Sequence, residues 1–304
     1  MINLAKGMKK KNENLKLFEK IIPTILLIIA SISVLTSIGI VLTLIVDAVH
    51  FFKEIPFREI FSTELAPLKA ENASFGFLPL IAGTFITSAI AMFVAIPIGL
   101  TAAIYLSEFS TVTRRKIIKP IIEVLAGIPT IVYGFFAYSF VTPLLMKLIP
   151  SLEAKNALSP GIVMGIMIIP IVTSLSEDAM NAVPSSIREG ALALGATKLE
   201  VAFKVIVPAA ISGIITSFVL AISRAIGETM IVTIASGSAK NFTLDVTKPM
   251  QTMTAYIVEF TSGDAGSGTT GYYSLYAVGL ILFIFTLLMN LLAKYITKKY
   301  RKEY

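Results

Sequence analysis

Long stretches without a single charged residue dominate this chain. They cover 21–46, 75–106, 124–146, 157–176 and 265–293, and a further stretch at 205–223 continues past two charges to 239. About 20 apolar residues in a helix cross the ~30 Å hydrocarbon layer of a bilayer. No water is available there, so each backbone polar group must be satisfied inside its own helix or by neighbouring protein. An all-α integral membrane fold with six transmembrane helices is expected over 21–297, between polar tails at 1–20 and 298–304. The first run exceeds the ~7–15-residue core of a cleaved signal peptide and is expected to remain as an anchor.

The Lys and Arg residues predict the orientation. Of 26, 18 fall on one side: the N-terminal tail, Arg114, Arg115, Lys116, Lys119, Arg188, Lys198, Lys204 and the C-terminal tail. Seven fall on the other side: Lys53, Arg58, Lys69, Lys147, Lys155, Lys240 and Lys248. The positive-inside bias places both termini and the loop around 179–208 in the cytoplasm. The net charge of +7 is thus a topology signal rather than a nucleic-acid footprint. With no Cys and a single His, His50, neither a disulfide framework nor a thiolate or histidine metal site is expected.

The loops and helix breakers give further expectations. The Lys-rich tail at 1–20 is disordered or lies along anionic headgroups. In the outer loop at 47–74, Phe51, Phe52, Phe57 and Phe61 fold against the helix ends in preference to meeting a partner. The last outer loop, 237–271, ends in a Gly-rich run whose composition favours mobility over packing. Pro97, Gly99, Gly127, Pro129, Pro143 and Pro170 lie in helix interiors, where membrane proteins tolerate kinks. Gly161 and Gly165 form a small-residue face for close helix packing. No internal repeat is visible, which weighs against many secondary-transporter folds.

Two charges interrupt the fifth span. If that helix is continuous over about 209–236, Arg224 lies near its middle, and Glu228 follows one turn later on the same face. An Arg at mid-membrane costs about 2.5–3.5 kcal/mol on insertion scales, so a role in function is the first expectation. Its planar fork matches an oxyanion. The alternatives are an Arg224–Glu228 pair that only neutralises both groups, and a restraint released when the pathway opens. Hydroxyls at Thr84, Ser88, Thr130, Ser223 and Thr229 supply a possible polar path, although Ser and Thr also bond back to their own helix. Glu123, close to Lys119, reads as interfacial, and Asp47 and His50 at an outer helix end carry no assigned role.

The polar gap before the fifth span holds Glu189-Gly190-Ala191, then Gly195, then Val205-Ile206-Val207-Pro208. A short helix stopping near Gly195 in the left-handed conformation, and a second helix opening after Pro208, make physical sense of it. The pattern resembles the E-A-A-x-x-x-G signature with its downstream I-x-L-P of ABC importer permeases, the loop that grips the ATPase. Gly190 stands at the second position of that signature. Gly190-x₄-Gly195 also begins like a phosphate-binding P-loop, but Ala196-Thr197-Lys198 follows where Gly-Lys-Ser/Thr belongs, and no strand precedes it.

Three further stretches resemble the phosphate-specific branch of these permeases, and most of all its PstC-type subunit. They are Leu80–Thr84 with Ala95–Gly99 and Ala103–Glu108; Glu123–Phe136, with its Tyr133-Gly-Phe-Phe run; and Ser223-Arg-Ala-Ile-Gly-Glu-Thr-Met230. The outer run Phe61–Pro67 is similar too, with Leu65 where Trp is common. The resemblance implies a type I (MetI-like) permease in a core shared with a PstA-type subunit. Two PstB-type ATPase subunits sit below it and a PstS-type phosphate-binding protein docks outside. It implies a substrate pathway at Arg224 and Glu228 with Ser223 and Thr229, and coupling through Glu189, Gly190, Ala191, Gly195 and Pro208. The chain itself is expected to bind no cofactor, ATP-Mg belonging to the partner ATPase.

Alternatives within the class are the sister PstA-type subunit and a permease for another oxyanion such as molybdate or sulfate. A secondary transporter would need its own mid-membrane coupling carboxylate, for which Glu228 is the main candidate. A membrane enzyme is disfavoured by the single His, the lack of Cys, and the lack of a carboxylate cluster or hydrolase elbow.

Overall fold

The computed structural model describes residues 2–67, 69, 73–264, 266 and 268–300. Helix α1, Ile2–Glu54, is followed by a single 3₁₀ turn and a two-residue hairpin, β1 Leu65–Ala66 against β2 Ser74–Phe75. Then come α2 (Leu78–Ile104, prolonged by a π-helical turn to Phe109) and α3 (Val112–Gly127). Next are α4 (Thr130–Phe136), which runs through a π turn into α5 (Thr142–Leu148), α6 (Leu158–Asn181) and α7 (Ser185–Ala193). A stepped segment follows, with α8 (Lys198–Glu200), a π turn, α9 (Val207–Ala209) and α10 (Ile211–Ile226). Last are α11 (Met230–Ala235), α12 (Met253–Glu259) and α13 (Thr270–Tyr300).

Among the described residues, five helical stretches are long and apolar enough to cross a membrane: Ile21–Glu54, Leu78–Phe109, Thr130–Leu148, Leu158–Asn181 and Thr270–Lys299. A sixth is bent, Lys198–Ala209 meeting Ile211–Ile226 at 71°. Five of the six expected spans are thus present as helices, and the count reaches six if the bent pair is one span; the run expected at about 209–236 is divided between α10 and α11.

Helices α2 and α6 form the centre. A Cβ added at Gly165 would stand 2.8 Å from the Ala91 carbonyl and 2.7 Å from Val94, so only glycine allows this approach. Gly161 and Gly165 are therefore packing residues, as their spacing predicts. Around that seam lie three apolar clusters. The middle one joins Ala91, Ala95, Tyr133, Met164, Ile168, Val172, Ala221 and Ile231. A second, at the hairpin end, gathers Phe51, Phe75, Phe77, Tyr256 and Phe260. The third, at the α7 end, holds Ala103, Ile104, Met180, Val201, Ala202 and Ile206. Helix α1 stays outside, resting on α13 with its flank of Ile and Leu exposed.

Several expectations change. The backbone of 2–20 is helical and continuous with the first span, while its basic side chains and the C-terminal tail 301–304 lie outside what the structure describes. Gly127 and Pro129 do not sit inside one helix. Proline cannot donate a backbone hydrogen bond, so the third span begins afresh at Thr130 with Pro129 as its cap. Tyr133 donates to the Leu125 carbonyl at 2.8 Å, satisfying a group freed by that joint. In the outer loop Phe51 is buried and Phe52 partly so, whereas Phe57 and Phe61 stay exposed. The last outer loop is packed over Met250–Tyr256, because Thr84 accepts from the Met253 backbone and Tyr256 lies buried against Ser274. Of its Gly-rich end, 265 and 267 are outside the described residues.

Candidate functional site

Two regions matter: the α7 loop, and the end of α10. Pro184 caps α7, and Gly195, at φ 88°, turns the chain back as expected. Thr197 and Glu200 then form a reciprocal cap that starts the next helix at Lys198, not after Pro208. Pro208 lies near the end of that helical segment, two residues before the 71° bend at Ala210. Its missing N–H helps explain why the segment loosens into a π turn and then breaks. Ile187 and partly buried Ala191 pack on the bundle. Glu189 and Gly190 face outward, as do Leu192 and Leu194, the latter 91% exposed. Glu189 thus shares this outer surface with two exposed leucines.

Arg188, beside Glu189, points the other way. Its guanidinium grips Glu108 at the end of α2, with Nη2 2.9 Å from Oε1 and Nε 3.1 Å from Oε2. The same group donates to the carbonyls of Met180 at 2.8 Å and Val183 at 3.2 Å. Behind it, buried Glu177 on α6 is paired with Arg115 and, at 2.8 Å, with Lys119, both on α3. Lys119 also meets Asp178 at 2.9 Å. Burial pulls the Lys119 pKa down, but hydrogen bonds to Glu177 and Asp178 outweigh it and hold the pKa above the ordinary lysine value. From the sequence alone, Arg115, Lys119 and Arg188 serve only as orientation signals and Glu108 only as part of a family-like stretch, and none of them is paired with another. Glu108 and Arg188 are 80 residues apart, so no local spacing links them.

At the other region the expected continuous helix is interrupted. α10 ends at Ile226, Gly227 caps it, and α11 starts at Met230. Glu228 therefore does not lie one turn above Arg224, and no ion pair joins them. Its buried carboxylate accepts from the backbone N–H groups of Met230 at 3.1 Å and Ile231 at 3.3 Å. A charge at a helix start is stabilised there by two donors, which removes the need for Arg224 as counter-charge. The Glu228 carbonyl in turn accepts from Thr254 at 2.7 Å, fixing α12 to the break. Arg224 is exposed and has no carboxylate partner among the described residues. Ser223 reaches Asn290 at 3.4 Å, and the Thr229 hydroxyl turns back to Gly227 at 3.3 Å. Thr84 bonds to the Leu80 carbonyl at 2.8 Å, while buried Ser88 has no partner among the described residues. Glu123 accepts from Ser174 at 3.1 Å on the exposed side of α3. His50 stacks on Tyr273 at 5.3 Å.

The described residues thus form a bundle of membrane-spanning helices, with a short surface helix in a polar loop and a bent helix pair beside it. The chain belongs to the binding-protein-dependent transport system inner membrane component family, whose model matches residues 95–302. Members are multi-pass, non-catalytic membrane subunits of ABC importers, working with a separate ATPase and a substrate-binding protein.

The chain is 33% identical over 228 residues to the probable ABC transporter permease protein YqgH of Bacillus subtilis, covering 75% of this chain and 74% of that one. It is 37% identical over 241 residues to the phosphate transport system permease protein PstC of Mesorhizobium japonicum, covering 73% of each. The probable PstC of Methanocaldococcus jannaschii is 30% identical over 292 residues, 86% of this chain and 90% of that one. Among solved structures, an inward-facing MetNI methionine ABC transporter aligns with TM-score 0.55 at 13% identity, over 75% of this chain and 95% of its own. A bacterial alginate importer aligns with the same score and identity, over 87% and 96%. These structures support the fold alone.

Proposed function

We propose that this chain is the PstC-type permease of a phosphate importer. It forms half of the pathway with a PstA-type subunit, above two PstB-type ATPases that hold ATP-Mg, and receives phosphate from a PstS-type protein. The observation that carries the reading is Arg224: an exposed guanidinium without a counter-ion among the described residues, within one turn of the break between α10 and α11. Leaving a cation there costs free energy unless it meets an anion in passage. The PstC relatives at 30–37% identity favour phosphate as that anion. Ser223 and Thr229 flank the cation, and Glu228 shapes the turn beside it. The end bearing α7 then faces the cytoplasm, with Glu189 and Gly190 on the ATPase, Ala191 seating the helix on the bundle, and Gly195 and Pro208 setting the return of the chain.

The test is Arg224→Gln in the assembled importer. Phosphate uptake should be lost while the subunit still inserts and the complex still assembles. Adding Glu228→Gln should not restore it, since the two side chains are not a pair. Uptake near wild type in Arg224→Gln would remove the pathway assignment.

A further inference from the structure

We infer that the Arg188–Glu108 ion pair is the link through which movement of α7 reaches the membrane helices, making both residues positioning residues of the transport cycle. This rests on the reading that α7 receives the ATPase.

The apolar contacts beneath α7 cannot by themselves set a direction of motion. Ile187 and Ala191 touch the third cluster, and apolar contact is non-directional. Arg188 supplies the direction. Its two-pronged contact with Glu108 fixes orientation as well as distance. Its bonds to the Met180 and Val183 carbonyls cap the free end of α6 at the same time. One side chain thus clamps α7 to the ends of both central helices.

The clamp continues sideways. Ser107 donates to Glu108 at 2.7 Å and lies 3.3 Å from Asn181, whose amide donates to Glu177 at 3.2 Å. Glu177 holds Arg115 and Lys119 of α3. Three cations and three carboxylates, counting Asp178, balance in one network across α2, α3, α6 and α7. Side chains of Glu177 and Glu108 are 0% and 7% exposed. Charges so placed lose much of their Coulomb gain to desolvation, so stability alone is a weak reason for the arrangement.

The far end of α2 completes the link. The stretch Leu78–Phe109 is one continuous helical segment, with Pro97 inside it and a π turn at its Glu108 end. Near its start, Thr84 accepts from the Met253 backbone at 2.9 Å, and one residue on Thr254 holds the Glu228 carbonyl at 2.7 Å. A displacement delivered at Glu108 therefore reaches the break beside Arg224 through one helix and two hydrogen bonds.

The experiment measures phosphate imported per ATP hydrolysed by the complete reconstituted importer, on the assembled fraction only. Arg188→Gln and Glu108→Gln should each keep basal ATP hydrolysis and lower that ratio about tenfold. The double variant should be no worse than Arg188→Gln alone, because that change already removes the shared pair along with the bonds of Arg188 to Met180 and Val183. Lys204→Gln breaks only the exposed Lys204–Glu200 pair and should leave the ratio unchanged. If the Gln variants do not assemble, Arg188→Lys carries the test. It keeps the charge but loses the fork, and should lower the ratio several-fold. A wild-type ratio in the assembled variants, or independent multiplying losses in the double variant, would overturn the link. ATPase retention in Leu194→Asp tests docking separately. Normal retention there refutes the α7 reading, whereas lost retention with a wild-type ratio in Arg188→Gln refutes the link alone.

Discussion

Gly195 shows how much depends on one backbone angle. At φ 88° a side chain is strained even though nothing crowds the position. A left-handed L-residue costs roughly 1–2 kcal/mol, and the cheapest relief is to redirect the turn after α7. Gly195→Val should therefore insert normally yet uncouple ATP hydrolysis from uptake, which vesicle transport and ATPase assays on one preparation will check. Glu228 makes a different case. Glu228→Ala removes the acceptor for two N–H groups, and losing a helix cap costs about 0.5–2 kcal/mol. A lower melting temperature of the detergent-solubilised subunit is expected, along with reduced uptake. The turn at Gly195 was legible in the sequence because glycine at that spacing has one strong conformational use. The role of Glu228 was not. Its four-residue distance from Arg224 suggested an ion pair, and that geometry holds only if Gly227 continues the helix, which it does not.

Among the helices, the network under α2, α3 and α6 governs how the α7 end holds together. Glu177→Leu leaves Lys119 and Arg115 without their buried carboxylate, and because both cations are partly exposed the loss is at most the roughly 3–5 kcal/mol of a fully buried pair broken from one side. Asp178 retains Lys119 in part, so the loss should fall towards the lower figure. Adding Lys119→Met should recover much of the melting temperature, since half-exposed Arg115 can turn to water. The pH dependence has a definite sign. The folded pKa of Lys119 lies above its unfolded value near 10.5, so its contribution is complete below that value and fades only as pH rises through the folded pKa. Titration of Lys119 should leave melting unchanged between about pH 6 and 9. None of this network can be read along the chain, because its members come from four separate segments and become neighbours only when α2 and α6 pack. Glu177 and Asp178 close an apolar run, where two acids look like an ordinary interfacial boundary.

The whole molecule was the most legible level, because an uncharged run of sufficient length has few alternatives to a membrane helix. Five of its spans coincide with apolar runs and the sixth is a bent pair, and the joints differ: at Pro129, at the 71° bend and at Gly227 the backbone departs from a simple rod. The charge count also makes a prediction independent of these details. A reporter fused after Lys204 should read as cytoplasmic and one placed within 263–271 as external, and the reverse would invert the assignment of the two faces. One feature of the periphery bears on how the protein sits in different membranes. Within Ile21–Glu54 the uncharged run 21–46 has 26 residues, about 39 Å at 1.5 Å per residue, against a hydrocarbon layer of ~30 Å. Phe51 and Ala48 hold its outer end in the packed bundle, so a thinner bilayer cannot be met by sliding the helix outward. The mismatch is taken up at the other end, by lean and by emergence from the lipid. Bilayer thickness is thus expected to set where the Ile21 end of the helix leaves the lipid.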